Sequence, residues 1–353
     1  MLMMFRSFVL LLVMCSLAAC GGNGGKVQYN YAQGTPSTEA AADNQIASDT
    51  LPLDIGGVSY ASVSAASTVL NGAGVDYVAT TDTGARDAWK QGWTGKNVKV
   101  GIPDEFNANG RWDVHGDYVT LIAASIAPEA DFYSIDTLVG SNTMTNDQAL
   151  AWFEDNGYHI INASFGIDKY DPTTGALNAN FDTLVANQVA GFDQDAENAK
   201  NALIIYAAGN SGLHCPGKRL EDCDWKGAEI DQLKDAGLTA GESIIFVGAL
   251  DDGVNTMAGY SIIAGDLMND FIVAHDDVLS ASDGQGTSYA SPRVTGAAAL
   301  VRHKFPSLSS KQLKQVLLQT ATDLGATGVD ATFGHGKLSI LGALSPQGTV
   351  VPK

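Results

Sequence analysis

Val98-Lys99-Val100-Gly101-Ile102-Pro103-Asp104 is a short apolar run that closes on a carboxylate, and further runs of its kind follow at 131–135, 159–165, 202–207, 244–249 and 271–274. Runs this short, apolar to both sides, suit strands buried on both faces, the habit of parallel sheets. Helical patterns separate them. Thr145-Asn146-Asp147-Gln148 has capping-box spacing ahead of Ala149, Leu150, Trp152 and Phe153. Ser309-Ser310-Lys311-Gln312 repeats that spacing ahead of Leu313, Val316 and Leu317. The alternation predicts one α/β domain over 85–344, with helices on both faces of a mostly parallel central sheet.

Outside that domain the texture changes. Arg6, the apolar stretch 8–14 and Leu17-Ala18-Ala19-Cys20 read as an export signal over 1–19, too short to span a bilayer comfortably. Small residues ending in a cysteine, followed by Gly21-Gly22-Asn23-Gly24-Gly25, resemble the lipobox of bacterial lipoproteins, in which Cys20 is acylated. Residues 20–84, rich in Gly, Ala, Ser, Thr and Asp, read as a lipidated tether with room for a short pro-segment. Residues 345–353 read as a polar tail. The predicted location is a bacterial cell envelope, surface-exposed and on the outer membrane where there are two. The membrane is then met through the lipid alone.

The net charge of -19 argues against nucleic-acid partners, which need Lys and Arg to neutralise phosphates. Cys215 and Cys223 bracket seven residues including Pro216 and Gly217, and in an exported protein they read as a local disulfide. A metal site on Cys215, Cys223 and His214 is the weaker alternative, because no fourth ligand is spaced nearby.

The chemistry-bearing segment is Gly286-Thr287-Ser288-Tyr289-Ala290-Ser291-Pro292. It leads into Val294, Gly296, Ala297, Ala298, Ala299 and Leu300, a run suited to a close-packed buried helix that Pro292 should bend. A nucleophile there meets free N–H groups and the positive end of the helix dipole. A serine hydroxyl needs a base, and the chain offers six histidines. His159 reads as a core residue of a strand, His214 as part of the cysteine loop and His303 as a surface residue at a helix end. His275 and His335 sit in loops. His115-Gly116, ahead of Val119, Leu121, Ile122 and Ala123, stands at the mouth of a helix. Asp104 ends its strand at the carboxyl edge of the sheet, where α/β sites form, and can orient that imidazole. Asp113 and Asp117 compete for this role, and carboxylates this close should raise the pKa of His115. Asn210 closes Ala207-Ala208-Gly209-Asn210 at another strand exit and could donate to an oxyanion.

These blocks, with Ile126-Ala127-Pro128-Glu129-Ala130, Ile161-Asn162-Ala163-Ser164-Phe165-Gly166 and Gly334-His335-Gly336, resemble the subtilisin family of serine proteases in the order Asp, His, Ser. The resemblance covers about 85–344 and implies a three-layer subtilisin-like fold and a serine endopeptidase. Asp104, His115 and Ser288 would be its triad and Asn210 its oxyanion donor. It further implies that Ser164, Phe165 and Gly166 bind substrate backbone as an added strand, and that Gly166, Ala207, Ala208 and Gly209 shape a pocket with room for a bulky apolar side chain. Protein or peptide substrates and a monomer are expected. The resemblance admits calcium, common in the family, as a cofactor, with no acidic cluster whose spacing commits it here.

Two rivals remain at this stage. Gly286-x-Ser288-x-Ala290 nearly matches the nucleophile elbow of an α/β-hydrolase esterase, with Asp323 or Asp330 and then His335 following in order. That reading leaves Asp104, His115 and Asn210 idle. The other is a subtilase fold kept as a non-catalytic surface binding protein.

Overall fold

The computed structural model describes residues 53–55, 58–60, 83–106, 115–137, 144–194, 197, 200–251, 254–276 and 285–346. The export signal, Cys20, Asp113, most of the tether and nearly all of the tail lie outside the described residues. The elements in chain order are β1 (Leu53–Ile55), β2 (Val58–Tyr60), α1 (Thr83–Lys90), β3 (Lys99–Asp104), α2 (His115–Ile126), β4 (Asp131–Asp136), α3 (Asn146–Asp155), β5 (Ile160–Ala163), α4 (Phe181–Ala190) and β6 (Leu203–Ala207). Then come α5 (Leu220–Cys223), α6 (Trp225–Asp235), β7 (Ile244–Leu250), a 3-10 turn (Gly265–Asp270), β8 (Phe271–His275), α7 (Thr287–Lys304), α8 (Ser310–Gln319) and α9 (Ile340–Leu344).

Each of the six apolar runs forms a strand of one parallel sheet, ordered β4-β3-β5-β6-β7-β8, while β1 and β2 pair as a small antiparallel hairpin. Side chains alternate strictly between the faces. Leu203, Ile205, Ile245, Val247 and Ile272 pack with α1, α2, α7, α8 and α9 on one face. Ile204, Tyr206, Phe246, Phe271 and Val273 pack with Phe153 of α3 and Ile230 and Leu233 of α6 on the other. The three-layer α/β expectation therefore holds. Thr145 and Ser309 both cap their helices through complete capping boxes, with Gln148 and Gln312 returning the bond. Helix α1 crosses the expected boundary at Ala85, which is its first fully buried residue.

Topology locates the cleft. From β3 the chain runs outward to β4, then returns across β3 to β5 and proceeds the other way to β8. The order therefore reverses between β3 and β5, and in open parallel sheets the crevice beyond the carboxyl ends at such a point is where ligands bind. Asp104 ends β3, and Ser164 follows β5.

Candidate active site

At the carboxyl edge Asp104 is 3 % exposed, and its Oδ1 accepts from the Glu105 N–H and bonds His115 Nδ1, both at 2.7 Å. His115 is the first residue of α2, and its side chain keeps 31 % exposure toward the cleft. Burial pulls the imidazole pKa down, but the Asp104 charge, the hydrogen bond to it and the nearby Glu105 outweigh that and leave it above the usual 6.5. The expected rise is present; its sources are Asp104 and Glu105. Of the competing carboxylates, Asp117 is buried within α2.

Ser288 is the second residue of α7, an 18-residue helix buried along nearly its whole length. The ring of Tyr289 lies 5.6 Å from that of His115, so the start of α7 and the mouth of α2 meet. Pro292 stands inside α7 and has no N–H for the carbonyl of Ser288 four residues back. Ser164 Oγ donates to that carbonyl instead, at 2.9 Å. Ser164 also bonds Ser291 Oγ at 2.7 Å and accepts from Asn162 Nδ2 at 2.8 Å, while Asn162 Oδ1 accepts from Thr295 at 2.9 Å. This buried ladder pins α7 to the end of β5. The Ser288 hydroxyl donates to the carbonyl of Ser164 at 3.2 Å.

Asn210 is held by Thr287, which sequence reasoning did not single out. Its Oδ1 accepts from the Thr287 N–H at 2.8 Å and from the Thr287 hydroxyl at 3.1 Å, while that hydroxyl accepts from the Gly209 N–H at 3.0 Å. Two donors on Oδ1 fix the amide orientation and leave Nδ2 as the free donor beside Gly286 and Ser288. The segments 164–166 and 207–210, leaving the neighbouring parallel strands β5 and β6, form the two walls beside Ser288.

The other histidines stand away from this cleft. His159 is exposed just ahead of β5, which corrects the expected core role: the strand alternation begins only at Ile160. His303 is buried, against its expected surface position, because Trp93 packs edge-on against its ring and Nδ1 accepts from the Thr94 N–H at 3.2 Å. His275 Nδ1 bonds the Asp251 carbonyl at 3.0 Å, and His335 Nε2 bonds that of Asn269 at 3.3 Å. Asp330 accepts from the N–H groups of Ala326, Thr332 and Phe333 and so organises its own loop, which leaves the esterase set unassembled.

Cys215 and Cys223 form a disulfide, so the metal reading of that pair falls. Among the described residues no three His, Cys, Asp or Glu side chains gather into a metal cage. Among them, too, no helix is long and apolar enough to cross a membrane.

Residues 94–336 match the family described as Peptidase_S8, the subtilase family. The chain belongs to the subtilase family. Subtilisin Savinase of Lederbergia lenta is 30% identical to it over 288 residues, 76% of this chain and 89% of that protein. Subtilisin DY of Bacillus licheniformis is 28% identical over 285 residues, covering 70% and 90%. The fold is also similar to the crystal structure of a lanthipeptide protease, with TM-score 0.53 at 19% identity over 75% of this chain and 92% of that one. MycP1 from Mycobacterium smegmatis gives TM-score 0.53 at 17% identity, covering 93% and 92%. As a subtilase with subtilisin homologues, the protein is a serine-type endopeptidase.

Proposed function

We propose that this subtilase is an exported, lipid-anchored endopeptidase that cuts peptide bonds through an acyl-enzyme on Ser288, with His115 and Asp104 completing the triad and Asn210 stabilising the oxyanion. The 2.7 Å bond between His115 Nδ1 and a buried Asp104 carries this reading, because it leaves Nε2 of a neutral imidazole as an acceptor turned to the cleft. Substrate lies along Ser164, Phe165 and Gly166 as an added strand. Ser288 Oγ swings from the Ser164 carbonyl toward the imidazole and attacks the scissile carbonyl while its proton passes to His115 Nε2. Asp104 holds the imidazolium formed. The carbonyl oxygen, now negative, takes a hydrogen bond from Asn210 Nδ2 and meets the positive end of α7. His115 then gives the proton to the leaving amine, and water attacks the acyl-enzyme by the same route in reverse.

The Ser288 hydrogen bond to Ser164 is the one observation that favours a non-catalytic fold, and labelling separates the two. A fluorophosphonate applied to the chain from residue 21 onward should modify the wild type and spare Ser288→Ala and His115→Ala. If the wild type stays unlabelled both from residue 21 and from residue 83, the catalytic reading is lost. The anchor rests on Leu17-Ala18-Ala19-Cys20 and the glycine-rich stretch behind it. Metabolic labelling with an alkyne fatty acid should mark the protein in a bacterial host and disappear in Cys20→Ser. Label retained in that variant would remove the lipid and the envelope location together.

A further inference from the structure

Two glycines, Gly166 and Gly209, stand in the segments beside Ser288, and a carboxylate oxygen stands where each would carry a side chain. A Cβ placed on Gly166 would lie 3.0 Å from Asp224 Oδ2 and 3.9 Å from Trp225 Nε1. A Cβ on Gly209, whose φ is +101°, would collide with Asp168 Oδ1 and come within 2.7 Å of Ile262 Cδ1. The two acids arrive from distant parts of the chain. The backbone beyond Gly166 pairs antiparallel with 223–225, setting Asp168 opposite Asp224, with Trp225 N–H donating to the Ile167 carbonyl at 3.1 Å and Lys169 N–H to that of Cys223 at 2.7 Å. The disulfide ends at Cys223, the residue before Asp224, and so fixes this strand at the pocket.

Asp224 is 2 % exposed, and only half of its carboxylate is explained by the fold. Oδ1 caps α6 by accepting from the N–H groups of Lys226 and Gly227, each at 3.0 Å. Oδ2, the oxygen that faces Gly166, is buried without a partner, as is Trp225 Nε1 beside it. Asp168 Oδ2 accepts from the Asn210 N–H at 3.0 Å. The lysines nearby are engaged elsewhere: Lys226 with Glu229 at 2.5 Å, and Lys169 with Asp182 at 3.3 Å. We propose that Asp224, with Asp168 beside it, selects lysine or arginine as the substrate residue immediately before the cut bond.

An ammonium or guanidinium supplies what the orphaned oxygen lacks, an N–H donor, and adds positive charge beside two acids whose neighbouring cation, Lys226, is already paired to Glu229. An apolar ring in the same place would leave Oδ2 and Trp225 Nε1 without partners, which sites built around a polar group reject strongly. Burial pushes the carboxyl of Asp168 up to about 6, and burial followed by the charge of Asp168 pushes Asp224 well above the usual carboxylate range. The pair therefore resists its second negative charge, and a bound cation relieves that resistance. Among the described residues no third ligand joins them to make a metal site. The apolar preference suggested by the small wall residues alone gives way to a basic one.

The inference rests on the catalytic reading, and the test separates the two. Tetrapeptide coumarylamides identical except for Lys, Arg, Gln or Phe at the residue before the fluorophore would be compared on the chain from residue 21 onward. Fluorophosphonate titration counts the active sites. The expected kcat/KM for Lys or Arg exceeds those for Gln and Phe at least tenfold, and Asp224→Asn lowers the Lys-to-Phe ratio by about 10- to 100-fold, the worth of a charged hydrogen bond. Asn keeps the oxygen that caps α6, so the helix is preserved. A labelled wild type that prefers Phe, or that prefers Gln because the pocket is neutral, overturns the proposal without touching the triad. An unchanged ratio in Asp224→Asn overturns it as well. Absence of both labelling and cleavage overturns the catalytic reading beneath it.

Discussion

Asp104 makes His115 hard to deprotonate, and catalysis needs the imidazole neutral. Its pKa in the folded chain lies above 6.5, so kcat/KM should rise with pH to a midpoint above that of an ordinary histidine, and a midpoint at or below 6.5 would contradict the site's electrostatics. Asp104→Asn should shift that midpoint down and lower kcat by about 10⁴, the loss seen when the same group is neutralised in other triads. Asn210→Ala should lower kcat by about 10²–10³, the cost of losing this donor in subtilisin itself. Thr287→Val cuts the hydroxyl linking the Gly209 N–H to Asn210 Oδ1. It should reduce kcat roughly tenfold at nearly constant KM, with Thr287→Ser restoring it; a loss confined to KM would assign Thr287 to binding. That Asp104, His115, Ser288 and Asn210 stand at strand ends and helix mouths could be read from the chain, because local patterning reveals such positions. Asp168 and Asp224 could not be paired that way. They lie 56 positions apart in the sequence, and only the β-bridge between them brings them together.

At the scale of elements, α7 against α2 decides how firmly the nucleophile is held. A Cβ on Gly296 would stand 2.7 Å from Ile126 Cβ and 2.8 Å from the Ala123 carbonyl, so the two helices touch backbone to backbone. Gly296→Val should destabilise the fold by about 1–3 kcal/mol in urea titrations, since the Ala123 carbonyl and the Ile126 Cβ are fixed to the α2 backbone and cannot swing aside. A stabilised variant would mean that α7 is less tightly seated than this contact requires. By comparison, Thr145→Ala and Ser309→Ala should each cost about 1 kcal/mol, the worth of a helix cap. These capping boxes were legible before any coordinates, as were the six strands, because caps and two-sided apolar runs are local signals. The group that answers Pro292 was not. The carbonyl left over at Ser288 is taken by Ser164, which follows β5. His303 was misread for a related reason: the ring that covers it belongs to Trp93, at the opposite end of the domain sequence.

For the molecule as a whole, charge couples stability to pH in the sense opposite to activity. The chain carries -19 at neutral pH, and burial leads the rise of Asp168, Glu154, Glu221, Asp224 and Asp231 above their usual values in the folded state. An acid whose pKa is raised by folding binds more protons folded than unfolded, so it stabilises the fold below that raised pKa and less as pH climbs through it. His115 acts with the same sign, because its raised pKa favours the folded state most while the imidazole is charged. Asp270 opposes them: Lys314 and Lys234 overcome its burial and hold it low, so its contribution is lost only as pH falls through that depressed pKa. His159 and His335, both lowered by burial, oppose them as well as pH rises toward 6.5. Between about pH 4 and pH 6, where the raised acids lose their protons, those acids set the sense, and self-repulsion adds to them as the net charge grows. The melting temperature of Ser288→Ala, which cannot digest itself, should fall as pH rises across that window. Added salt should recover part of the loss by screening the surface acids. Peptide cleavage by the wild type over the same range should rise, because it waits on the neutral form of His115. A melting temperature that climbed with pH would mean that the buried carboxylates find cations in the folded state, and Asp168 and Asp224 would be the first place to look for one.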